Sequence, residues 1–303
     1  MGRTSSAAIR IGVVIVPDDR WAAARNRWRR AEQYGFDHAW TYDHLGWRHY
    51  SDGPWFAAVP TLAAAAAETT TIPLGIFVAT PNFRHPIPFM RELNTLDDIC
   101  GGRFVLGLGA GDDGYDAEVL GGSPLSRHAR VDRFAEFVTA LDGALTVDGF
   151  NHAGRFFTAR GSRNLPGTLR RPRPDFVVAA NSSRTMRLAI RYGAGWATTG
   201  VPAQTQGEWW RGVGGRTAMF DSEVERAERA PDSIDRYLNL DAAPESPVRS
   251  VRAFEDTLGR AVELGFTDVV MRWPTADSDG SAAEAIFERI AGEVLPTRPD
   301  QSV

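Results

Sequence analysis

The segment Ala31-Glu-Gln-Tyr-Gly-Phe-Asp37 combines the end of an amphipathic helix, a glycine and the entry to an apolar strand. The same arrangement returns at Ala189-Ile-Arg-Tyr-Gly-Ala-Gly195 and at Ala261-Val-Glu-Leu-Gly-Phe-Thr267. In each copy, a glycine in the left-handed conformation can end the helix and lead through a short turn into the next strand. The repeats therefore predict a fold of alternating helices and strands.

Eight apolar runs separated by amphipathic helix patterns carry this alternation along the whole chain. The apolar residues of the helix patterns are three and four positions apart, which places one apolar stripe on each helix. The runs are apolar almost throughout, as is typical of parallel strands buried on both faces. Eight such units predict an α/β fold, a (β/α)8 TIM barrel formed by residues 1–303 as a single domain. The predicted strands are Ile9–Val16, Asp37–Tyr42, Ile72–Thr80, Arg103–Gly109, Asp175–Ala180, Gly195–Thr199, Ile234–Asp241 and Thr267–Trp273.

A doubly wound sheet is the competing architecture, and it would need a nucleotide-binding loop. The glycine-rich stretch Gly107–Gly114 follows a predicted strand, but its spacing is G-x-G-x-G rather than G-x-G-x-x-G. Asp112 and Asp113 would also repel a pyrophosphate. The stretch is therefore interpreted as a tight strand exit at the catalytic face of a barrel.

Irregular insertions interrupt the repeat in three places. Residues 110–126, after the fourth strand, and 150–174, after the fourth helix, lack a helical period. Insertions of this length in barrels are expected to form lids or hairpins over the active face. A third irregular stretch, 200–218, carries Trp209 and Trp210 and is expected to close the pocket from another side.

The composition excludes several classes of function. All 34 basic residues other than histidine are arginines, so Schiff-base, pyridoxal-phosphate and Walker-A lysine chemistry is excluded. A net charge of −4 gives no basic field for a nucleic-acid partner. The single cysteine, Cys100, cannot form an internal disulfide, which fits a cytoplasmic location. No apolar run is long enough to span a membrane.

Polar residues gather where predicted strands end, which is where barrel enzymes place catalytic groups. Asp43 and His44 follow the second strand, and we interpret them as a proton-transferring histidine with an aspartate placing a hydrogen bond nearby. The six histidines include no H-x-H and no H-E-x-x-H pattern, so no metal site is predicted. There is also no G-x-S-x-G nucleophile motif.

The stretch Asn181-Ser-Ser-Arg184 follows the fifth predicted strand and opens a helix. Hydroxyl groups and backbone amides at a helix N-terminus can form an anion site, to which Arg184 adds charge. An ordinary serine N-cap explains the same residues without a ligand. From this stretch alone, both interpretations stay open.

Taken in order, these and several neighbouring motifs resemble the bacterial-luciferase-like family of flavin- and F420-dependent oxidoreductases. The similarity runs from Ile9 to about Gly122 and again from Pro172 to Trp196. Each motif is weak alone, but the ordered set is specific. The motifs are Glu32–Trp40, Asp43-His44, Leu74–Pro81, Arg84–Pro86, Leu96–Gly111, Ala179–Ser182 and Tyr192–Trp196.

The resemblance implies a TIM barrel that holds FMN or coenzyme F420 at the C-terminal ends of its strands. Asp43 and His44 would lie beside the ring, and the end of the third strand would bulge behind it, often with a non-proline cis peptide. Relatives are often homodimers. The implied cofactor-binding residues are Phe77, Val78, Thr80, Asn82, Gly109, Asn181, Ser182, Ser183, Arg184 and Trp196.

This sequence also departs from one branch of the family. The F420-dependent sugar-phosphate dehydrogenases carry a catalytic glutamate where this chain has Ala110, and they bind substrate phosphate partly with lysine. Neither group is present, so that activity is not expected. The aromatic residues Trp47, Trp55 and Phe56 indicate instead a pocket for an apolar or aromatic substrate.

The leading hypothesis is an oxidoreductase whose cofactor carries out the redox chemistry. It would act with FMNH2 and O2 as a monooxygenase or with F420H2 as a hydride donor, and a separate reductase would supply the reduced cofactor. One alternative is a cofactor-independent hydrolase or isomerase that uses Asp43 and His44 directly. Another is a barrel that binds flavin without catalysis.

Overall fold

Eight parallel strands close into a barrel, which confirms the predicted TIM-barrel fold. The computed structural model describes residues 8–46, 53–111, 115–274 and 281–295. The barrel order is β1-β10-β9-β8-β7-β4-β3-β2, and β1 pairs with β10 to close it. Each barrel strand lies within one of the eight predicted runs. The strands are β1 (Arg10–Val14), β2 (His38–Thr41), β3 (Leu74–Ala79), β4 (Phe104–Leu108), β5 (Phe150–Ala153), β6 (Thr158–Ser162), β7 (Asp175–Ala179), β8 (Gly195–Thr198), β9 (Asp235–Asn239) and β10 (Asp268–Arg272).

Helices cover the outside of the barrel and bury their apolar stripes against it. Within the described ranges, no helix is long and apolar enough to cross a membrane. The helices are α1 (Trp21–Gln33), α2 (Ala58–Glu68), α3 (Pro86–Ile99), α4 (Tyr115–Val119), α5 (Arg127–Thr146), α6 (Ser183–Tyr192), α7 (Gln206–Arg226), α8 (Val251–Glu263) and α9 (Ser281–Glu293).

The first helix-to-strand segment ties together the strands on either side of it. Gly35 has φ of 78°, so it takes the left-handed conformation that the repeat predicts, and Phe36 enters the core behind it. The Asp37 carboxylate then accepts a 2.6 Å hydrogen bond from the Ile11 amide at the start of β1. One turn therefore ends α1 and also holds β1 and β2 at a fixed register.

Glu32, in the same segment, clamps the loop that leads into β3. Its carboxylate accepts hydrogen bonds from the backbone amides of Thr70, Thr71 and Ile72 at 2.6–2.9 Å. Partial burial alone would raise the pKa of Glu32, but these amide hydrogens outweigh it and lower the pKa to about 2.

A buried polar network fills the N-terminal end of the barrel interior. Arg10 makes two hydrogen bonds to Asp268 at 2.8 and 2.7 Å, and His38 Nε2 lies 3.0 Å from the same carboxylate. Trp40 donates its indole hydrogen to His38 Nδ1 at 2.5 Å. Gly12 makes room for these rings, since a Cβ atom there would lie 1.9 Å from His38 Nδ1. The network closes this end of the barrel and leaves the other end open.

The insertion after the fourth barrel helix forms the predicted hairpin, but not over the active face. β5 and β6 pair antiparallel, and Glu136 of α5 accepts hydrogen bonds from the amides of Arg155, Phe156 and Phe157 at the hairpin tip. Phe157 packs on Phe137 of the same helix. The hairpin therefore lies along the outside of α5, because it follows that helix in the chain.

The interpretation of residues 200–218 as irregular is wrong, because α7 begins at Gln206. Thr205 and Glu208 form a reciprocal capping box at its start. Trp209 is fully buried in the core, so it does not close a pocket. Four glycines between positions 207 and 215 hide the helical period. One of them, Gly212, is required by packing, since a Cβ atom there would lie 2.2 Å from Val201.

We predict that Glu32→Gln destabilises the protein in a pH-dependent manner. The lowered pKa means that the ionised Glu32 stabilises the fold above its ordinary pKa of 4.5, and that this contribution is lost as the pH falls towards 2. The variant should lose about 1 kcal/mol of unfolding free energy at pH 7, after allowance for solvent screening. Chemical denaturation at several pH values measures the difference, which should shrink below pH 4.5.

Glu263→Gln is the matched control, because Glu263 occupies the end of α8 in the third copy of the repeat and, among the described residues, makes an exposed pair with Arg260 alone. It should change the stability by less than about 0.5 kcal/mol at any pH. Equal effects of the two substitutions would show that the clamp on β3 contributes nothing.

Candidate active site

A cavity of about 540 Å³ opens at the C-terminal ends of the barrel strands. This is the end where barrel enzymes carry their catalytic residues, and the volume lies within the range of small-molecule sites. The cavity is lined by residues of β3, β7 and β8, of the loops that follow β2, β3, β4, β7 and β8, and of the first turns of α5 and α6. The lining residues are Tyr42, His44, Phe77, Val78, Thr80, Gly109, Ala110, Gly111, Arg127, Arg130, Val131, Ala179, Ala180, Asn181, Ser182, Thr185, Ala197, Thr198 and Thr199.

A bulge in β3 forms one wall of this cavity. The register between β3 and β4 shifts between Ile76 and Ala79, and the Phe77-Val78 peptide bond is cis, as the family resemblance implies. The Val78 side chain points towards the end of β4 and packs against Gly109. A Cβ atom on Gly109 would lie 2.5 Å from Val78 Cγ2, so only glycine leaves room for this contact. The bulge therefore depends on a glycine in the neighbouring strand exit.

His44 lies on the cavity wall and is held by a carboxylate that the sequence analysis missed. Its Nδ1 atom lies 2.9 Å from Asp116 Oδ2, and the Leu45 amide donates to Asp116 Oδ1 at 2.9 Å. Asp116 lies on α4, inside the insertion after β4, and is only 1% exposed. A buried carboxylate on Nδ1 fixes the ring orientation and places Nε2 on the opposite edge of the imidazole.

Asp43 is not the partner of His44, which corrects the predicted role of the pair. Its carboxylate receives two hydrogen bonds from Arg84, at 2.6 and 2.8 Å, and Arg84 also contacts Glu92 at 2.7 Å. Asp43 is 2% exposed and is not among the described residues that line the cavity. It joins the end of β2 to the start of α3 and so positions the backbone that carries His44.

Hydroxyl and amide groups line the opposite end of the cavity, at the start of α6. Ser182 and Thr185 form a capping box, each side chain bonding the other residue's amide. Thr198 donates to Asn181 Oδ1 at 2.6 Å, which leaves the Asn181 Nδ2 group as a donor. Arg127 and Arg130, at the start of α5, add two guanidinium groups to the lining. This end is suited to an anion.

Four predicted cofactor residues are placed outside the cavity wall in the described structure. The Ser183 hydroxyl bonds to Glu223, and Arg184 pairs with Asp132 on the surface. Asn82 is buried and accepts a hydrogen bond from Arg133. Trp196 is fully buried, stacks on Phe220 of α7 and donates to the Ala180 carbonyl at 2.8 Å.

These placements correct the direct cofactor-binding role expected for Trp196, Ser183 and Arg184. Successive strand residues point to opposite faces, so Trp196 points into the helix layer while its neighbour Ala197 lines the cavity. Ser183 and Arg184 lie on the first turn of α6, and their side chains point away from the barrel axis. Trp196 supports the site only through the Ala180 backbone.

The predicted aromatic substrate pocket is only partly formed. Trp55 is half-buried beside His44, donates to the His44 carbonyl at 2.9 Å and packs edge-on against its ring. Phe56 turns the other way and lines a separate apolar cavity between α1 and α2. Trp47 lies outside the described residues.

Several residues of the site carried no usable sequence signal. Asp116 lies in an irregular insertion, and its pairing with His44 spans 72 positions. Arg127 and Arg130 are one helical turn apart, but arginine pairs at this spacing usually face solvent. Tyr42, directly before Asp43, could have been found by the same strand-end argument. Across the described ranges, no group of three or more His, Cys, Asp or Glu side chains could hold a metal ion.

Comparison with known proteins agrees with this fold. The family model for luciferase-like monooxygenases matches residues 2–256, and the chain belongs to this family. An F420-dependent glucose-6-phosphate dehydrogenase from Beutenbergia cavernae is 29% identical, with 88% of this chain and 90% of the relative covered. The 4-hydroxyprotoasukamycin monooxygenase of Streptomyces nodosus subsp. asukaensis is 30% identical, with 68% of this chain and 53% of the relative covered.

The fold is also similar to that of an F420-dependent secondary alcohol dehydrogenase solved with an F420-acetone adduct. The two structures superpose with a TM-score of 0.79 over 96% of this chain and 100% of the other, at 16% identity.

We predict that Arg84→Met strongly destabilises the protein, because it leaves the buried Asp43 carboxylate without its cation. Breaking a buried pair in this way costs roughly 3–5 kcal/mol. The double variant Asp43→Asn/Arg84→Met should recover part of that loss, since it removes the uncompensated charge. Chemical denaturation measures the unfolding free energies.

Arg289→Met serves as the control, because Arg289 makes an exposed pair with Glu293 on α9. It should leave the unfolding free energy almost unchanged, because an exposed ion pair contributes little to stability. If Arg84→Met lowered the unfolding free energy no more than this control, the Asp43–Arg84 pair would not be holding β2 against α3.

Proposed function

We propose that this protein is an oxidoreductase that uses a reduced flavin-type cofactor on a small apolar or aromatic substrate, and that F420 is its preferred cofactor. The observation that carries the proposal is the composition of the barrel-mouth cavity. A bulged strand seated on Gly109 forms one wall, anion-binding groups line one end, and a carboxylate-held histidine lines the other.

The residues present fit a tricyclic cofactor with a phosphate-bearing chain. Gly109, Ala110 and Gly111 leave the wall next to the bulge without large side chains, so a flat ring can approach the backbone. The donors of Asn181 and Ser182, together with Arg127 and Arg130, are the groups that would hold phosphate in a chain without lysine.

A bound reduced cofactor would supply the electron pair, as hydride or through O2. His44 would hold or deliver a proton from its Nε2 edge, with Asp116 fixing the ring. Trp55, packed against His44, would shield this side of the cavity from water. Asp43 would act indirectly, by keeping the His44 segment against Arg84.

The comparisons favour F420 over FMN, since the relative aligned over most of both chains is named as F420-dependent. They do not favour glucose 6-phosphate as the substrate. Ala110 places a methyl group on the cavity wall at the position where the resemblance implies a catalytic glutamate in sugar-phosphate dehydrogenases. A neutral, less polar substrate is compatible with this wall.

We also propose that residues 1–303 act as one domain in a homodimer. β1 and β10 pair although they come from opposite ends of the chain, so the barrel cannot be divided into two separate domains. An apolar groove of about 430 Å³ between α2 and α3 includes the exposed Ile99 and is suited to a second copy. A separate reductase as the source of reduced cofactor, and a cytoplasmic location, stay predictions.

Fluorescence titration of the purified protein with F420 and with FMN tests the proposal. We expect saturable binding with at least about tenfold preference for F420. A preference for FMN would indicate the monooxygenase chemistry. Binding of neither would overturn the proposal in favour of a cofactor-independent hydrolase or isomerase, and tight binding without turnover of any tested substrate would favour a non-catalytic barrel.

The Ser182→Asp variant tests, in the same titration, whether the cofactor phosphate binds at the start of α6. Aspartate caps a helix as well as serine does, so α6 should persist, while the new charge should weaken cofactor binding by about tenfold or more. Ser250→Asp is the matched control, since Ser250 caps α8 through the Ala253 amide and is not among the described lining residues. Equal affinities for both variants would show that phosphate binds elsewhere.

A further inference from the structure

We propose that Tyr42 and Asp241 form a second proton-transfer pair, which links the cavity to solvent and works beside His44. The proposal rests on the proposed function and adds to it a residue that acts on the substrate. It starts from a contact that the His44 chemistry does not use: Tyr42 lines the cavity, and its hydroxyl donates a hydrogen bond to the Asp241 carboxylate.

Tyr42 is held by residues of β1, β3 and β9 at the barrel mouth. It directly follows β2 and packs with Val14, Val16 and Phe77 inside the barrel. Asn239, at the end of β9, also bonds to the Tyr42 hydroxyl. The hydroxyl oxygen is therefore held in one position by Asp241 and Asn239.

The donor direction in this cluster follows from the backbone. Asn239 Oδ1 accepts the Asp241 amide hydrogen at 2.9 Å. Its Nδ2 group is then the atom that donates to the Tyr42 oxygen. With Asn239 donating to Tyr42 and Tyr42 donating to Asp241, the tyrosine proton is directed at the carboxylate. This arrangement is ready to pass a proton from the cavity towards Asp241.

Asp241 differs from the carboxylate behind His44 in its access to solvent. It lies on a short 3-10 helix, Leu240–Ala242, and is an exposed residue, whereas Asp116 is buried. Its carboxyl group nevertheless faces into the barrel mouth, where crowding by protein raises its pKa, against the opposing effects of the Tyr42 hydrogen bond and the Arg272 charge. It can therefore exchange protons with water and also take one from Tyr42.

The surrounding charges keep Tyr42 protonated at rest. Burial raises its pKa, and the negative charge of Asp241 raises it further, while Arg272 and Asn239 act in the opposite direction. His44, two residues along the chain, is the other titratable group of this wall. Tyr42 is therefore a neutral hydroxyl that can donate to a substrate oxygen or accept from one.

The proton balance is the same in both directions. When a substrate alcohol is oxidised, its O–H proton moves to Tyr42 Oη, the original Tyr42 proton moves to Asp241 Oδ2, and Asp241 releases it to water. When a substrate carbonyl is reduced, Asp241 takes a proton from water and passes it to Tyr42 Oη, while the Tyr42 proton forms the new O–H bond. When bound, the F420 of the proposed function would supply or accept the electron pair as hydride.

The first measurement needs no cofactor. Ultraviolet difference titration of tyrosinate compares the wild-type protein with Tyr42→Phe, which isolates the ionisation of Tyr42 among the six tyrosines. In Asp241→Asn the carboxylate charge is gone, so Tyr42 should ionise at a pH about one unit lower or more. An unchanged titration would overturn the proposal, because the two groups would then not share a proton.

The second measurement uses protein loaded with F420H2 and a panel of aldehydes and ketones in single turnover. Tyr42→Phe should slow cofactor oxidation by about tenfold or more. Asp241→Asn should remove one ionisation from the pH profile, while His44→Gln should leave that ionisation in place. Tyr192→Phe is the matched control, since its hydroxyl contacts Thr139 outside the cavity, and its rate should equal the wild-type rate.

A Tyr42→Phe rate and pH profile equal to those of the wild type would overturn the relay. Failure of the wild-type protein to bind F420 would instead overturn the proposed function. The tyrosinate titration distinguishes the two failures, because it reports on the Tyr42–Asp241 pair without cofactor.

Discussion

The contact between Val78 and Gly109 is the constraint on which the candidate site depends. A parallel strand in a closed barrel normally keeps its register along its length, but β3 departs from it at Phe77 and Val78. The departure is possible because Gly109 has no side chain where Val78 would meet one, and because Gly107 likewise lies against Ile76. A wall without large side chains therefore forms beside the barrel axis, with polar groups at either end.

Most of the fold follows from local features of the sequence. The eight strands were predictable because each is a nearly continuous apolar run, and the turn at Gly35 because a positive φ strongly favours glycine. The helix at Gln206–Arg226 was missed because four glycines, one of them required by packing, obscured the helical period. The hairpin was predicted, but its position was not, because hydrogen bonds from its tip to Glu136 hold it against α5 and no local motif indicates them.

The location of several site residues was predictable from the sequence, but their hydrogen-bond partners were not. Strand-end position correctly placed His44 and Ser182 on the cavity wall. It could not show that Asp43 bonds to Arg84 or that Asp116 supports His44, because both pairs join segments far apart in the chain. It also could not show that Ala197, and not Trp196, faces the cavity. Adjacent residues of a strand point to opposite faces, so an error of one position moves a side chain from the cavity to the helix layer.

The absence of lysine determines which side chains carry positive charge and which can transfer protons around the cavity. Every cation near the cavity is an arginine, which stays charged and binds carboxylates through two hydrogen bonds, as Arg84 does with Asp43. Proton transfer is therefore left to histidine, tyrosine and the carboxylates behind them. Asp116 is closed off from water and suited to holding a ring in place, whereas Asp241 is open to water and suited to exchange.

The most direct test of the central claim is the affinity of the Gly109→Ala variant for F420, measured by fluorescence beside Gly259→Ala. A methyl group at position 109 must displace Val78 from its seat, whereas a methyl group on Gly259 of α8 would meet no neighbouring atom within 4 Å. The account predicts at least about tenfold weaker binding for Gly109→Ala and wild-type affinity for Gly259→Ala, since about 1.4 kcal/mol corresponds to tenfold. Wild-type affinity in the Gly109→Ala variant would contradict it.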